Sequence, residues 1–342
     1  MLPLLACTPP VDDRPRHEAS VDTAGTDTAP TDTAPDIDPD AELWIVQLDL
    51  DSLSIGESAL VVGPDGTSVL VDVGNDSHAQ TVEAAVAAYL GHPPDYVVLT
   101  HHHADHIGGV DDLGFAPREA LLWRGPVDMV SDSNEAEVEE VVATGWPEER
   151  LGEFDGEPRV IDLGGGAVMR LFAVGGTAYD GRECPVGDDE NARSVLGAVQ
   201  WGDFDYVFGG DLTGGGKDTP DCEDAYEGLG WLPEADLLHL SHHGIESSTS
   251  QGWLDRVLPP GANRNAVVGA NVAYGTAPDQ AVVDRVTPHL GAGKVWVTRR
   301  GLLGGEGTSL VDAESDVLVR VVGGARYSVH AGGQSGDYPA LP

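Results

Sequence analysis

The sequence is poor in positive charge. Lysine and arginine total 18 residues against 58 aspartates and glutamates, which gives a formal net charge of -40 at pH 7. Such a surface repels phosphate backbones, and no segment has the basic groove that holds nucleic acid. We therefore rank nucleic acid low among the substrates, without excluding cleavage of a polyanion at a metal-lined site.

Long apolar runs are missing as well. No stretch of about 18 or more apolar residues occurs, so the body of the chain is not predicted to cross a membrane. Hydrophobic residues still make up 41% of the 342 residues, enough for the core of one large domain or two ordinary ones. The composition therefore favours a folded enzyme.

Cysteine occurs three times. Cys7 follows Leu-Leu-Ala, which resembles the lipobox of bacterial lipoproteins, where a signal peptidase cuts before a cysteine that is then lipid-modified. The segment before it is short and lacks a positive n-region, so we expect the true start upstream of Met1; the alternative is an incidental cysteine. Cys184 and Cys222 are an even pair, predicted to form a disulfide in an exported protein or to remain free thiols.

Three regions differ in composition. Residues 1–41 are predicted to be a lipoprotein signal remnant followed by a disordered tether of Thr, Asp, Ala and Pro, which has too few apolar side chains to fold. Residues 42–330 are predicted to be the folded domain, and residues 331–342 a flexible tail. Together these features predict an exported protein that is either lipid-anchored to the bacterial cell envelope or extracellular. The lipid anchor would be its one contact with a membrane.

Apolar spacing outlines the folded domain. Residues with a three-and-four period predict helices at residues 78–90, 134–143 and 278–286. Apolar β-rich runs between them predict strands, including a hairpin at residues 58–72.

The densest cluster of potential metal ligands lies in residues 100–109, THHHADHIGG. It has the spacing His-x-His-x-Asp-His and follows residues 95–99, a predicted buried strand. Alternate residues of extended backbone point the same way, so His101 and His103 share one direction while Asp105 and His106 turn toward another. One loop could therefore serve two adjacent metals. Imidazole with carboxylate suits zinc, manganese or iron, and the cluster has no cysteine for a structural thiolate site.

Two later strand ends carry further candidates. Asp211 comes after a predicted strand and two glycines, and His242-His243-Gly244 comes directly after another predicted strand. Asp211 alone would be interpreted as an ordinary turn aspartate, whereas a double histidine before glycine is typical of a ligand site. His239, inside the strand, is predicted to be a satisfied core histidine.

This arrangement resembles the metallo-β-lactamase superfamily over residues 43–330. The resemblance implies an α/β fold, a four-layer αββα sandwich with metals at the edge between its two sheets. Within the superfamily, the sequence is most similar to the soluble domain of ComEC-type competence proteins and to related secreted hydrolases. The shared motifs are LVDVG at residues 70–74, residues 100–109, NARSVL at 191–196, GGD at 209–211 and LSHHG at 240–244.

The resemblance assigns roles to the candidate ligands. His101 and His103 would hold a first metal, and Asp105 and His106 a second. Asp211 would bridge them. Zn²⁺ is the expected cofactor, as one or two ions, with Mn²⁺ as the alternative.

The remaining ligands come from two other motifs. We favour His243 over His242 as the last ligand and expect His242 to orient it or carry a proton. Many relatives place another histidine between the loop and the bridging aspartate, and this sequence has none there. In the competence-type branch that position belongs to an Asn-x-x-Ser motif, so Asn191 is expected to face the metal directly or through water, supported by Ser194.

We therefore expect metal-assisted hydrolysis of an ester, phosphoester or amide bond in a small-molecule or cell-surface substrate. Divalent charge lowers the pKa of a water from 15.7 to about 7. Asp105 would accept the proton of the nucleophile and His242 would protonate the leaving group.

Two alternatives stay open. One is a phosphodiesterase or nuclease of the competence type, although residues 274–278 read Tyr-Gly-Thr-Ala-Pro where that branch usually carries Gly-His-Pro. The other is a surface binding domain that has kept the fold and lost catalysis.

Overall fold

The structure is a computed structural model that describes residue 38 and residues 40–50, 53–126, 134–152 and 154–342. Residues 1–37, which include Cys7 and most of the predicted tether, lie outside the described residues. The first strand begins at Glu42.

Strands make up most of the described regular structure. In chain order they are β1 (Glu42–Gln47), β2 (Ala59–Val62), β3 (Ser68–Val71), β4 (Tyr96–Val98), β5 (Ala120–Trp123), β6 (Glu148–Arg150), β7 (Arg159–Gly164), β8 (Ala167–Val174), β9 (Thr177–Ala178), β10 (Leu196–Trp201), β11 (Phe204–Phe208), β12 (Leu237–His239), β13 (Asn265–Val268), β14 (Val295–Val297), β15 (Leu310–Asp312), β16 (Val317–Val322), β17 (Arg326–Ala331) and β18 (Gln334–Pro339).

These strands form two mixed sheets. The first has the order β18-β17-β16-β1-β2-β3-β4-β5-β6, and the second has the order β15-β14-β13-β12-β11-β10-β8-β7 with β9 beside β8. Pairing is parallel from β3 to β6 and from β11 to β15. The carboxyl ends of parallel strands meet at one edge of a sheet, and loops that leave that edge build ligand sites.

Alternating apolar residues hold the two sheets together. Leu43 and Ile45 of β1 face the core between the sheets, whereas Val46 packs on the outer side. The same alternation occurs in β3, where Val69 points inward and Leu70 outward. Both faces of the first sheet are therefore apolar, which requires a helical layer on the outside.

Helices cover both outer faces. α1 and α3 pack on the first sheet, and α4, α5 and α6 pack on the second. The architecture is thus the predicted four-layer αββα sandwich. No helix among the described residues is long and apolar enough to span a bilayer. The helices are α1 (Ala79–Tyr89), α2 (Ala104–Ile107), α3 (Glu135–Ala143), α4 (Cys222–Tyr226), α5 (Gln251–Val257) and α6 (Gln280–Val286).

The prediction of a flexible tail at residues 331–342 is wrong. β18 pairs antiparallel with β17 along its whole length, and the backbone N–H of Leu341 donates to the Asp236 carboxylate at 3.0 Å. Gly332 and Gly333 have φ of 55° and 76°, the left-handed conformation that a tight two-residue hairpin turn requires. The glycines that suggested fraying therefore mark a turn.

The predicted disulfide between Cys184 and Cys222 is present. It joins the loop after β9 to the start of α4, and both cysteines are buried under the second sheet. In the chain-entropy model, a bond across a 38-residue separation stabilises the fold by up to about 4 kcal/mol.

Reduction of this bond should lower the free energy of unfolding, because the unfolded chain regains the entropy of an open loop. We expect the denaturant midpoint to fall when the protein is reduced. A variant lacking Cys184 and Cys222 should have the same lower midpoint and should not respond to reductant. Equal midpoints for the oxidised and reduced wild type would contradict the prediction.

The buried Asp236 meets the partly buried Asp205 at the start of β12. The Asp205 backbone N–H donates to the Asp236 side chain at 3.0 Å. Burial raises the pKa of Asp236 to about 7, against the lowering effect of this hydrogen bond, and raises the pKa of Asp205 to about 6.

Stability should therefore depend on pH through Asp236. The folded state binds this proton more tightly than the unfolded chain, so the stabilisation is complete below about pH 4 and is lost as the pH rises through 7. Between about pH 5 and pH 8, the free energy of unfolding should fall less in Asp236→Asn than in the wild type, by on the order of 2 kcal/mol. The exposed Asp203→Asn is the matched control. Parallel profiles for the wild type and Asp236→Asn, measured at one ionic strength and metal content, would refute this assignment.

Candidate metal centre

The predicted metal loop leaves the first sheet at the carboxyl end of β4. Thr100 anchors it, since its backbone N–H and its hydroxyl donate to the two carboxylate oxygens of Asp72 at 2.8 and 2.7 Å. Helix α2 begins directly after His103 and carries Asp105 and His106. The loop therefore presents its polar side chains from a fixed backbone.

Three side chains form a first group that could hold a metal ion. They are His101, His103 and Asp211, whose ligand atoms all lie within 4.8 Å of one another. Nε2 of His101 lies 3.1 Å from Nδ1 of His103 and 3.7 Å from Oδ2 of Asp211. The first sheet supplies both imidazoles, and the second sheet supplies the carboxylate from the end of β11.

A second group shares the same aspartate. It contains His106, Asp211, His243 and Glu57, again within 4.8 Å of one another. Nε2 of His106 lies 3.2 Å from Oδ1 of Asp211, and Nε2 of His243 lies 3.7 Å from Oδ2. Asp211 thus presents one oxygen to each neighbouring imidazole and belongs to both groups.

The atoms of the second group fit a divalent cation. Nε2 of His106, Nε2 of His243 and Oδ1 of Asp211 are buried, and none has a hydrogen-bond partner within the described part of the chain. Buried polar atoms without partners are costly, and a bound cation would satisfy all three. Two imidazoles with carboxylate oxygen are ligands typical of zinc, and manganese accepts them too.

Asp72 fixes the ring of His106 from behind. Its Oδ2 lies 2.7 Å from Nδ1 of His106, so Nε2 faces Asp211. A carboxylate that binds the rear nitrogen of a ligand histidine sets its tautomer and orientation. Asp72 has φ of 56°, an uncommon conformation for a residue with a Cβ.

His243 is fixed in the same way. Its Nδ1 donates to the carbonyl of Gly269 at 3.0 Å and lies 3.1 Å from Oε2 of Glu57. Nε2 is therefore free to face Asp211 and a metal ion. Oε1 of Glu57 lies 2.5 Å from Nε2 of His239. His239 is therefore the buried, hydrogen-bonded histidine that the sequence predicts. We infer that Glu57 positions His243, although it is close enough to the group to reach a metal itself.

Backbone conformation separates the two adjacent histidines. His242, His243 and Gly244 all have positive φ, at 54°, 54° and 73°. A Cβ at Gly244 would lie 2.6 Å from Cβ of Pro278, so only glycine fits there. This turn directs His243 into the second group, while His242 faces Asn191, with Nε2 of His242 3.2 Å from the amide nitrogen.

Asn191 and Ser194 lie beside the centre. Oδ1 of Asn191 is buried and has no hydrogen-bond partner among the described residues. Oγ of Ser194 accepts the backbone N–H of Asp211 at 3.0 Å, so this serine supports the shared aspartate. The role of Asn191 as a ligand stays a prediction.

Asp105 stands outside both groups. Its Oδ2 lies 3.5 Å from Nε2 of His243 and accepts the hydroxyl of Tyr274 at 3.1 Å. The Tyr274 ring stacks on His243 with centroids 3.9 Å apart. Tyr274 therefore contacts both a predicted base and a predicted ligand.

The electrostatics reflect an excess of carboxylates around two of the imidazoles. Burial alone would lower the pKa of His243, but the charges of Asp211, Asp105 and Glu57 outweigh it and raise that pKa to about 10. The pKa of His106 also rises, against the effect of burial. Burial instead lowers the pKa of His242.

The sequence reasoning missed Glu57 and Tyr274 as site residues. Glu57 lies two residues before β2. The one local feature that could have indicated a site residue is its carboxylate next to an apolar strand. Tyr274 was noticed for the departure of its segment from the Gly-His-Pro pattern, without a role of its own. His101, His103, His106, Asp211 and His243 are brought together as expected, and their roles as ligands stay predictions.

The comparison with protein families defines the class. A model of the metallo-beta-lactamase superfamily matches residues 55–251, more than half of the 342-residue chain. The chain belongs to this superfamily.

Individual relatives match a shorter part. Hydroxyacylglutathione hydrolase of Xanthomonas euvesicatoria pv. vesicatoria (strain 85-10) is 47% identical over 68 residues, 20% of this chain and 25% of that protein. The enzyme of the same name from Xylella fastidiosa (strain M12) is 43% identical over 53 residues, 16% of this chain and 19% of that protein. The chain thus spans a quarter or less of the length of these curated relatives.

Solved structures give a distant match. A metal-dependent hydrolase of the β-lactamase superfamily aligns with 17% identity and a TM-score of 0.44, over 76% of this chain and 97% of that chain.

Replacing Glu57 tests the inference that it positions His243. Glu57→Gln should lower the affinity for zinc by about 10- to 100-fold, because the ring of His243 loses its charged support while the imidazoles of His106 and His243 and the carboxylate of Asp211 remain. Competition with a chromophoric chelator measures this affinity. The exposed Glu246→Gln, on the loop after His243, is the matched control. An unchanged affinity in Glu57→Gln would refute the positioning role.

Proposed function

We propose that this protein is a metal-dependent hydrolase that uses a two-ion centre to cleave an ester or phosphoester bond in a small-molecule or cell-surface substrate. The observation that carries the proposal is the position of Asp211, which belongs to both groups of potential ligands. A carboxylate shared in this way suits two adjacent ions that act on one bond.

We assign the ligands from the geometry. His101, His103 and Asp211 would hold one ion, with Asn191 beside it, and His106, Asp211 and His243 would hold the other. We expect zinc, with manganese as the alternative. Bound ions would supply a water of lowered pKa and withdraw charge from the attacked oxygen.

The position of Asp105, rather than its basicity, suits it to accept a proton. Burial would raise the pKa of its carboxyl, but the nearby imidazoles of His243 and His106 hold it well below its usual range, so the carboxylate is ionised. Its Oδ2 lies against His243 and the hydroxyl of Tyr274. An ionised carboxylate held beside the metal side can take the proton of an attacking water.

His242 is suited to exchange a proton with the leaving group. Its side chain is 19% exposed, whereas that of Asp211 is 2% exposed, so His242 lies toward the mouth of the centre. Nδ1 lies 2.5 Å from Oγ of Ser247, which holds the ring in place. Burial lowers the pKa of this imidazole, so it must take a proton from solvent water before it gives one to the leaving group, while Asp105 releases the proton of the nucleophile to solvent.

The charge of the chain favours substrates other than nucleic acid. A net charge of -40 opposes a polyanion and leaves small molecules and cell-surface groups as the preferred partners. Acyl esters and thioesters are among the candidate substrates, because two of the curated relatives are named hydroxyacylglutathione hydrolase. A place close to the ComEC-type branch stays a prediction, motivated by the asparagine and serine of residues 191–196.

We also propose that the protein is exported, with Cys7 as the site of a lipid anchor. The Cys184–Cys222 disulfide supports an oxidising compartment, where such bonds persist.

Asp211→Ala tests the two-ion proposal. It should abolish turnover and reduce bound zinc or manganese by more than the roughly 10- to 100-fold typical of a residue that only orients a ligand. Metal analysis and assays with zinc and with manganese measure both effects on a carboxylic ester, a lactone, a hydroxyacylglutathione, bis-p-nitrophenyl phosphate and DNA.

The exposed Asp224→Ala is the control and should behave as the wild type. Full activity in Asp211→Ala would contradict the proposal. A wild-type protein that binds no divalent ion would instead favour the binding-domain alternative.

A further inference from the structure

A cleft rich in arginine opens beside the metal centre. It lies where β5 and β6 of the first sheet meet the end of β8 in the second, and its volume is about 550 Å³. This volume falls within the range of about 300–1,000 Å³ typical of small-ligand pockets. Its basic side chains are Arg124, Arg150 and Arg193, with Thr177 beside them.

The concentration of arginine contrasts with the composition of the chain. Only 18 of 342 residues are lysine or arginine, yet three arginines line this one cleft. Glu190 pairs with two of them, at 2.6 Å from Arg124 and 3.8 Å from Arg193. Arg150 pairs with Glu148 at 3.3 Å near the surface. Glu135 also acts electrostatically on Arg124, so three guanidinium groups and three carboxylates lie together around the cleft.

The arginines also have unused donors. The side chain of Arg124 is 4% exposed, yet its Nε and Nη1 have no hydrogen-bond partner among the described residues. Nε of Arg193 is likewise buried without a hydrogen bond. A buried guanidinium has five N–H donors, and leaving several of them unused is costly unless an anion completes the site.

The cleft shares a wall with the metal centre. Nη2 of Arg124 lies 3.0 Å from Nδ1 of His102, the residue between two predicted ligands. Glu190 accepts the backbone N–H of His102 at 2.7 Å and directly precedes Asn191. A molecule held in the cleft would therefore lie beside the loop that carries His101 and His103.

We propose that the arginine cleft binds a carboxylate or phosphate of the substrate, so that the enzyme hydrolyses small anionic esters. This inference rests on the proposed function, since it names the substrate class of the same centre. Guanidinium groups recognise both oxyanions through charge-assisted hydrogen bonds. The cleft offers a cluster of guanidinium donors on an otherwise acidic protein, which suits one anionic group better than a polyanion.

Binding of simple anions tests the cleft without catalysis. Calorimetric titration of the chelator-treated full chain with succinate, and separately with inorganic phosphate, shows which oxyanion binds. Arg150→Glu should weaken binding at least about 5-fold, since a charge-assisted hydrogen bond becomes a repulsion. Arg150 is 57% exposed, so the variant should fold, unlike a change at buried Arg124.

Arg326→Glu is the matched control. This exposed arginine lies at the turn between β16 and β17. The turn is at the opposite end of the first sheet from Glu57 and the metal centre. It carries the same change of charge and should bind both anions as the wild type does. No anion binding by the wild type, or equal weakening in the two variants, would overturn the proposal.

Turnover of a matched pair of esters tests the consequence for catalysis. The zinc-loaded wild type should show a higher kcat/KM for mono-p-nitrophenyl succinate than for p-nitrophenyl butyrate, and Arg150→Glu should lower the ratio of the two at least about 5-fold. A ratio unaffected by Arg150→Glu would refute the cleft while hydrolysis stands. Arg150-dependent anion binding without turnover of either ester would support the cleft and count against the proposed hydrolysis.

Discussion

The placement of the Asp211 carboxylate is the constraint on which the metal centre depends. A buried carboxylate is tolerated only where positive charge or donors surround it, and here the surrounding groups come from two sheets. β4 leads to His101 and His106, whereas β11 leads to Asp211 and β12 to His243. The site therefore exists only when the apolar core between the sheets has formed, which makes the packing of that core a condition for the chemistry.

The ligand side chains are held in place by residues that contact them on the side away from the metal. Asp72 holds His106, Gly269 and Glu57 hold His243, and Ser194 holds the backbone of the shared aspartate. All these groups lie near strand ends at the same edge. The neighbouring arginine cleft uses the same device, because Glu190 joins Arg124 to the backbone of the metal loop. Substrate recognition and metal positioning are thus coupled through one hydrogen-bonded wall.

The sequence could predict what is local. The histidine loop, the aspartate after β11 and the double histidine follow from motifs within short segments, and the four-layer fold follows from the resemblance of those motifs to the superfamily. Glu57 and Tyr274 could not be found in this way, because each reaches the centre from a segment distant in the chain and has an ordinary local pattern. The tail from residue 331 was mispredicted because glycine weakens a strand interior but is also required at a tight turn, and composition alone does not separate the two uses.

The pairing of β1 with β16 links two strands at opposite ends of the domain. Glu42 lies opposite Val322, and Gln47 lies opposite Val317. A ribosome delivers the two strands far apart in time, so β1 stays an edge of the first sheet until nearly the whole domain has been synthesised. Contacts of such long sequence separation slow folding and leave a strand edge exposed meanwhile. Completion of the first sheet is therefore a late event in the life of each new chain.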